Sequence, residues 1–457
     1  MWLPLFSQHE ALKAVPWGLK VARILSAALD AVEPKAAISR HMQRQGEFLL
    51  AGGKEYDLRQ NQRVLIVGAG KAGAPMAERT AELLGNSLTG GLVIVKGGHN
   101  SDLQALPDQL RLVEAGHPIP DRRGMAGAEQ IAQLLANLNE NDLVICLISG
   151  GGSSLLVSPV PGISLTDLQT LTSALLANGA NINEINTLRK HLEQLKGGGL
   201  ARLARPASLV TLILSDVVGD PLDVIASGPT VPDPTTFGDA WSVLERYNLL
   251  DQNPASIIQH LQRGCLGELP DTPKPGDPLF DQVQNVIIGN NRQAAVAALH
   301  QAKAEGLHSM LLTTYLQGEA RQAGRFLAAI VRQVVASGEP IPRPACIVTG
   351  GETTVSLTGN GLGGRNQELA LGAVVDLAGL EGVAMITLAT DGEDGPTDAA
   401  GAIVTGRTFE LAQEMGLEPA HFLARNDAYQ FFDRMGCLIR TGPTQTNVTD
   451  LAFLFAF

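Results

Sequence analysis

One pattern recurs along this chain: a short, uniformly apolar run, then a turn of small residues, then a stretch with helical periodicity. The strand-like runs are 63–67 (RVLIV), 91–95 (GLVIV), 110–114 (LRLVE), 142–148 (DLVICLI) and 208–215 (SLVTLILS). Segments such as 124–138 and 165–177 between them suit helices. Runs that stay apolar instead of alternating cannot turn one face to water. They predict strands covered by helices on both sides, an α/β fold with a doubly wound parallel sheet. Ahead of the first run, residues 10–50 read as helices, with Leu12, Val15, Leu19, Val21, Ile24, Leu25 and Leu29 at helical spacing.

The pattern breaks once. Gly267, Pro270, Pro273, Pro275, Gly276 and Pro278 punctuate residues 266–284, which read as a linker. Beyond it the alternation resumes, with strands expected at 285–289, 308–313, 345–349, 353–358 and 383–390. Helices are expected at 292–305, 318–336 and 365–378. The expected organisation is an N-terminal α/β domain over 1–265, the linker, and a second, smaller α/β domain over 285–457. An apolar content of 45% supplies cores for both, and 18% charged residues excludes long disorder.

Partners are bounded by charge and hydropathy. With 34 Lys and Arg against 46 Asp and Glu, the net charge of −12 argues against a nucleic-acid partner, though not against a nucleotide in a local basic pocket. No run approaches the length of a membrane helix, so no membrane partner is expected. Met1–Phe6 is too short for a signal-peptide core, and a cytoplasmic location is expected. Cys146, Cys265, Cys346 and Cys437 form no C-x-x-C pair and read as reduced thiols, and the nine histidines show no zinc spacing.

Three glycine loops follow strand-like runs. Gly68-Ala-Gly70-Lys71-Ala-Gly73 matches G-x-G-x-x-G between a strand and a helix. A dinucleotide site would need an acid about 20 residues on. None occurs from Gly85 to His99, where the next run ends in Lys96-Gly-Gly-His99. With Lys71 inside the loop, the motif reads as a phosphate cradle first, with a dinucleotide site or a plain tight turn as alternatives. The second loop, Ser149-Gly150-Gly151-Gly152-Ser153-Ser154, offers bare amides and two hydroxyls, with the following helix expected to aim its positive end at the same place. It is neither a Walker A loop nor a nucleophile elbow. The third loop contains Gly350, Gly351 and Glu352, close in sequence to Arg365. An arginine opening a helix opposes the macrodipole, so Arg365 is a candidate clamp for a carboxylate or phosphate.

Acids end two further runs. Asp216 and Asp220 follow 208–215, and Asp391 follows 383–390. Carboxylates at strand C-termini suit Mg²⁺ beside phosphates, or proton removal from a hydroxyl. Asp216, Asp220 and Asp391 are the candidate metal ligands. Residues 186–196 read as a helix stopped by Gly197–Gly199, with Arg189, Lys190 and Lys196 forming a basic patch.

The ordered set of V-G-A-G-K-A-G (67–73), E-A-G-H-P-I-P-D (114–121), Ser149–Ser154, R-K-H-L (189–192), S-D-V-V-G-D (215–220), A-S-G-P-T (226–230), G-R-N-Q-E (364–368), T-D-G (390–392) and G-P-T-Q-T-N-V (442–448) resembles the MOFRL-type, or class II, glycerate 2-kinases along nearly the whole chain. The resemblance implies a Rossmann-like N-terminal domain, a C-terminal domain with the MOFRL region, and an active site in the cleft between domains. It implies transfer of the γ-phosphoryl group of ATP, with Mg²⁺, to the 2-hydroxyl of D-glycerate. Lys71, Asp216, Arg365 and Asp391 are the expected catalytic residues. The three glycine loops and Lys196 are expected to bind the nucleotide. A homodimer is compatible with this reading. Gln445 stands where the family usually has Gly, and is expected to alter affinity or shift the backbone. The alternative activity is an NAD(P)H-dependent reductase of hydroxypyruvate or tartronate semialdehyde, suggested by the G-x-G-x-x-G match.

Overall fold

In the computed structural model, which describes residues 2–98 and 106–457, the strand-like runs of the first half are strands, buried on both faces except at 110–114, where Arg111 and Glu114 are exposed. His99 lies outside the described residues. The chain divides into two compact units, one of residues 37–288 and the other joining the residues up to Ala36 to Gly289–Phe457.

The unit of residues 37–288 begins with an antiparallel meander, β1 (Met42–Gln45), β2 (Phe48–Ala51) and β3 (Lys54–Asp57). The helical expectation for 10–50 therefore fails after His41. Gly46, with φ of 62°, makes a left-handed turn that reverses the chain. Its main sheet holds β4 (Arg63–Ala69), β5 (Gly90–Lys96), β6 (Leu110–Ala115), β7 (Asp142–Ile148), β8 (Ser208–Leu214) and β9 (Val283–Gly289), in the order β6-β5-β4-β7-β8-β9. From β4 to β8 every pairing is parallel. All seven residues of β7 are buried. Alternate residues such as Leu65 and Val67 face a core shared with Ala128 and Ile131 of the helix Arg122–Leu134. A second apolar layer, built on Leu188, Leu192, Leu244 and Leu261, lies among helices outside the sheet.

Residues 266–284 are integral to this unit. Asp233 donates its amide to Pro273 O at 2.8 Å, Thr272 Oγ1 bonds Asp233 at 2.9 Å, and β9 completes the sheet. Proline and glycine here shape a packed crossing of the surface, not a linker.

The other unit has the sheet order β10-β11-β15-β12-β13-β14, with β10 (His308–Leu316), β11 (Ala345–Gly351), β12 (Val383–Ala389), β13 (Gly401–Thr405), β14 (Leu438–Ile439) and β15 (Asp450–Ala456). β10 and β11 are parallel, but β15 runs antiparallel to both β11 and β12, so this sheet is mixed. The expected strand at 353–358 is absent; Thr354 makes only an isolated bridge to Glu319. The helix Gly18–Asp30 packs on Asn291–Ala304, which places the N-terminal segment with this unit instead of in the expected 1–265 domain. Cys146 and Cys346 are buried and their thiols are pushed up to about 12 by burial, whereas Cys265 is exposed; all four are free. Among the described residues, no helix is long and apolar enough to cross a membrane.

Candidate active site

The strand order of the first sheet fixes where a ligand can sit. The chain leaves β4 for β5 and β6 on one side, then returns to β7 and β8 on the other. The loops after β4 and β7 thus diverge to opposite faces and open a crevice at their carboxyl ends, the usual ligand position in such sheets. The two loops that border it are Gly68–Gly73 and Ser149–Ser154.

They are clipped together. The Lys71 amide donates to Gly150 O at 2.8 Å, and the Ala72 amide donates to Ser149 Oγ at 3.0 Å. Gly70 has φ of 150°, and a Cβ there would lie 2.0 Å from Ser149 Oγ, so only glycine allows this approach. Gly68 and Gly73 are packing positions, against Leu147 and Val93. Gly151, with φ of 80°, is bare because two side chains cross it: a Cβ would lie 2.8 Å from the His117 ring and 3.5 Å from Lys71 Cγ. Lys71 is half-buried. The helix after the second loop is a single turn, Gly152–Leu155, so its dipole is far smaller than expected. The bare amides, not a helix terminus, carry the anion-binding capacity of this loop.

The loop is braced from behind. Ser153 Oγ meets Ser227 Oγ in a short hydrogen bond, and Ser227 Oγ donates to Asn186 Oδ1 at 2.9 Å. Ala226 and Ser227 hold φ of 50° and 61°, a left-handed conformation that costs non-glycine residues of order 1–3 kcal/mol each and concentrates at functional sites. Ser154 Oγ bonds Gly151 O at 3.1 Å. Sequence reasoning did not single out His117, Asn186 or Ser227. His117 and Ser227 sit in E-A-G-H-P and A-S-G-P-T, whose placement at the crevice only the fold reveals.

Asp216 and Asp220 leave the end of β8, the neighbour of β7, and both are half-buried. Lys196 departs from expectation. Its side chain is fully buried, pairing with Glu193 Oε2 at 2.6 Å and donating to Leu156 O at 3.0 Å. Burial holds its pKa below the lysine range despite Glu193. The helix ends at Leu192, so Lys196 turns inward and has no reach toward a nucleotide.

The remaining predicted residues belong to the other unit. Arg365 Nε binds Asp450 Oδ2 at 2.5 Å, and its Nη1 binds Glu352 Oε1 at 2.6 Å. Burial would lower its pKa, but these carboxylates outweigh it and raise it. The macrodipole conflict is resolved internally: Asp394 accepts from the amides of Asn366 (3.0 Å) and Gln367 (2.8 Å). Burial and the neighbouring Asp450 push Asp394 up to about 7. The fork of Arg365 is therefore engaged with protein carboxylates, those of Asp450 and Glu352. A Cβ on Gly350 would strike Asn291 Oδ1 at 1.8 Å, and one on Gly351 would strike Leu316 O at 2.2 Å. These glycines let Asn291 and Leu316 approach the backbone closely. Asp391 is half-buried at the end of β12. Gln445 holds φ of 62°, a left-handed conformation that favours glycine. Among the described residues no group of three or more His, Cys, Asp or Glu converges.

Fold and site together define a doubly wound α/β protein with a lysine and a glycine-rich loop at its topological switch point. The chain belongs to the MOFRL-type glycerate kinase family. Residues 20–262 match a family described as a domain of unknown function (DUF4147), and residues 345–450 match the MOFRL family. A D-glycerate 2-kinase of Thermotoga maritima is 46% identical over 389 residues, covering 85% of this chain and 89% of the relative. A protein of Agrobacterium vitis, provisionally named a hydroxypyruvate reductase, is 41% identical and covers 94% and 92%. The crystal structure of a Thermotoga maritima glycerate kinase superposes with a TM-score of 0.85 at 42% identity, covering 97% of this chain and all of that one.

Proposed function

We propose that this chain is a D-glycerate 2-kinase acting in the cytoplasm, transferring the γ-phosphoryl group of ATP to the 2-hydroxyl of D-glycerate. The observation that carries this reading is the Lys71 side chain crossing Gly151 where the two glycine loops meet. Phosphoryl transfer asks a protein chiefly for positioning and for charge opposite the phosphoryl oxygens. Lys71 supplies the charge, and the amides of Gly150 and Gly151 supply fixed donors. Mg²⁺ is normally held beside phosphates by one or two carboxylates; Asp216 and Asp220 fit that demand, and the ion would offset phosphate charge there.

The test is ADP release coupled to D-glycerate, followed by identification of the product as the 2- or 3-phosphate. Lys71→Ala should lower kcat roughly 10²–10³-fold, the loss typical of one charge-stabilising donor. Near-normal turnover would remove the assignment. Oxidation of NADH or NADPH with hydroxypyruvate, and no ADP release, would replace the kinase by a reductase. The lack of an acid where β5 ends at Lys96 speaks against that outcome.

A further inference from the structure

The helix Ile182–Leu192 carries three consecutive cationic-type side chains with very different surroundings. Lys190 is held by Asp233 at 3.2 Å and Asp223 at 3.4 Å. His191 lies between Thr187 O at 2.7 Å and Asp271 at 3.0 Å. Arg189 is half-buried, yet among the described residues no hydrogen bond or ion pair engages its guanidinium. Its nearest acid offers little: Glu193 already accepts from Lys196 at 2.6 Å and from the Ser158 amide at 3.1 Å. Burial pulls the Arg189 pKa below the usual arginine range, with Glu193 opposing only in part. A desolvated charge without a partner is costly, and binding an anion removes the cost.

What Arg189 faces narrows the anion. With Ser153, Ser154 and Glu193 it lines a small cavity of about 20 Å³ whose other walls are largely leucine. So small a space excludes a triphosphate and takes at most the carboxylate end of a small acid. Ser153 and Ser154 belong to the loop beside Lys71, and Ser153 reaches the Arg189 helix through Ser227 and Asn186. A guanidinium fork matches a carboxylate in two parallel hydrogen bonds. Arg365, the other candidate, spends its fork on Asp450 and Glu352.

We infer that Arg189 grips the carboxylate of the hydroxy-acid substrate and so selects acids over uncharged polyols. This rests on the kinase reading for the identity of the acid, but not for the existence of the anion site. The test uses the full chain and its Arg189→Gln and Arg189→Lys variants, with folding checked by circular dichroism. Arg189→Gln should raise KM for D-glycerate roughly 10- to 100-fold, the loss expected for a charge-assisted pair, and change KM for ATP by no more than about twofold. Arg189→Lys should recover part of the loss. The preference for D-glycerate over its uncharged amide should vanish in Arg189→Gln. An unchanged KM for D-glycerate, or an equal rise in KM for ATP, overturns the inference. If the wild type phosphorylates no D-glycerate, the kinase reading falls, and calorimetric titration with D-glycerate decides the site separately. Binding that Arg189→Gln abolishes sustains the anion site, and equal binding or none by wild type and variant ends it.

Discussion

Replacing Lys196 by Met separates a buried structural lysine from a ligand-binding one. Methionine keeps most of the stem volume, so packing changes little. The Glu193 carboxylate, only 4% exposed, would then retain the Ser158 amide at 3.1 Å and lose its charge partner. Stranding one member of a buried ion pair costs about 3–5 kcal/mol. With a urea slope near the upper end for small proteins, about 3 kcal/mol/M, that lowers the midpoint by about 1–1.7 M. Glu193→Gln added to Lys196→Met removes the stranded charge and should return a large part of that loss. The assay is urea unfolding followed by tryptophan fluorescence in a background where Trp2 and Trp17 are Phe, leaving Trp241 to report on residues 37–288. KM for ATP should stay close to the wild-type value. An unchanged midpoint with a large rise in KM for ATP would refute the reasoning and return Lys196 to the nucleotide.

Two further outcomes follow from the same geometry. Gly151→Ala places a methyl group 2.8 Å from the His117 ring on a φ of 80°. It should lower stability by about 1–2 kcal/mol and kcat at least about 10-fold; steady-state rates and urea midpoints matching the wild type would show that the loop tolerates side chains. Asp271 carries the pH dependence: burial raises its pKa, but His191, Lys274 and the Thr272 amide outweigh burial and hold it below the usual 3.8. Its contribution is thus complete above about pH 4 and lost as pH falls toward the folded-state value. Urea midpoints between pH 6 and pH 3 should fall less steeply in Asp271→Asn than in the wild type, and parallel curves would contradict the assignment.

The parallel sheet was legible because each of its strands is self-sufficient as a signal. Run 142–148 is β7 to the residue, and 63–67 falls short of β4 only by Gly68 and Ala69. The mixed sheet was harder to read. The run L-A-F-L-F-A (451–456) lies in β15, but nothing local shows that it enters the middle of a sheet antiparallel to its neighbours. The loops around Lys71 and Ser149 were readable from glycine spacing, since bare backbone is itself a chemical statement. The internal partners of Lys196 and Arg365 were not legible, for one shared reason. Charge type is visible in a sequence, whereas the carboxylates that neutralise it, Glu193 and Asp450, are brought alongside by packing. Arg189 is the converse case, a charge in a basic patch whose neighbours found partners while it did not.

The placement of β15 also bears on biosynthesis. Flanked by β11 and β12, it is synthesised after every other strand of its sheet, and the helix Gly18–Asp30 that packs in the same unit is synthesised before all of them. Residues 37–288 are made between the two. The helix Gly18–Asp30 must therefore wait for Asn291–Ala304, on which it packs, until that whole intervening unit has been translated.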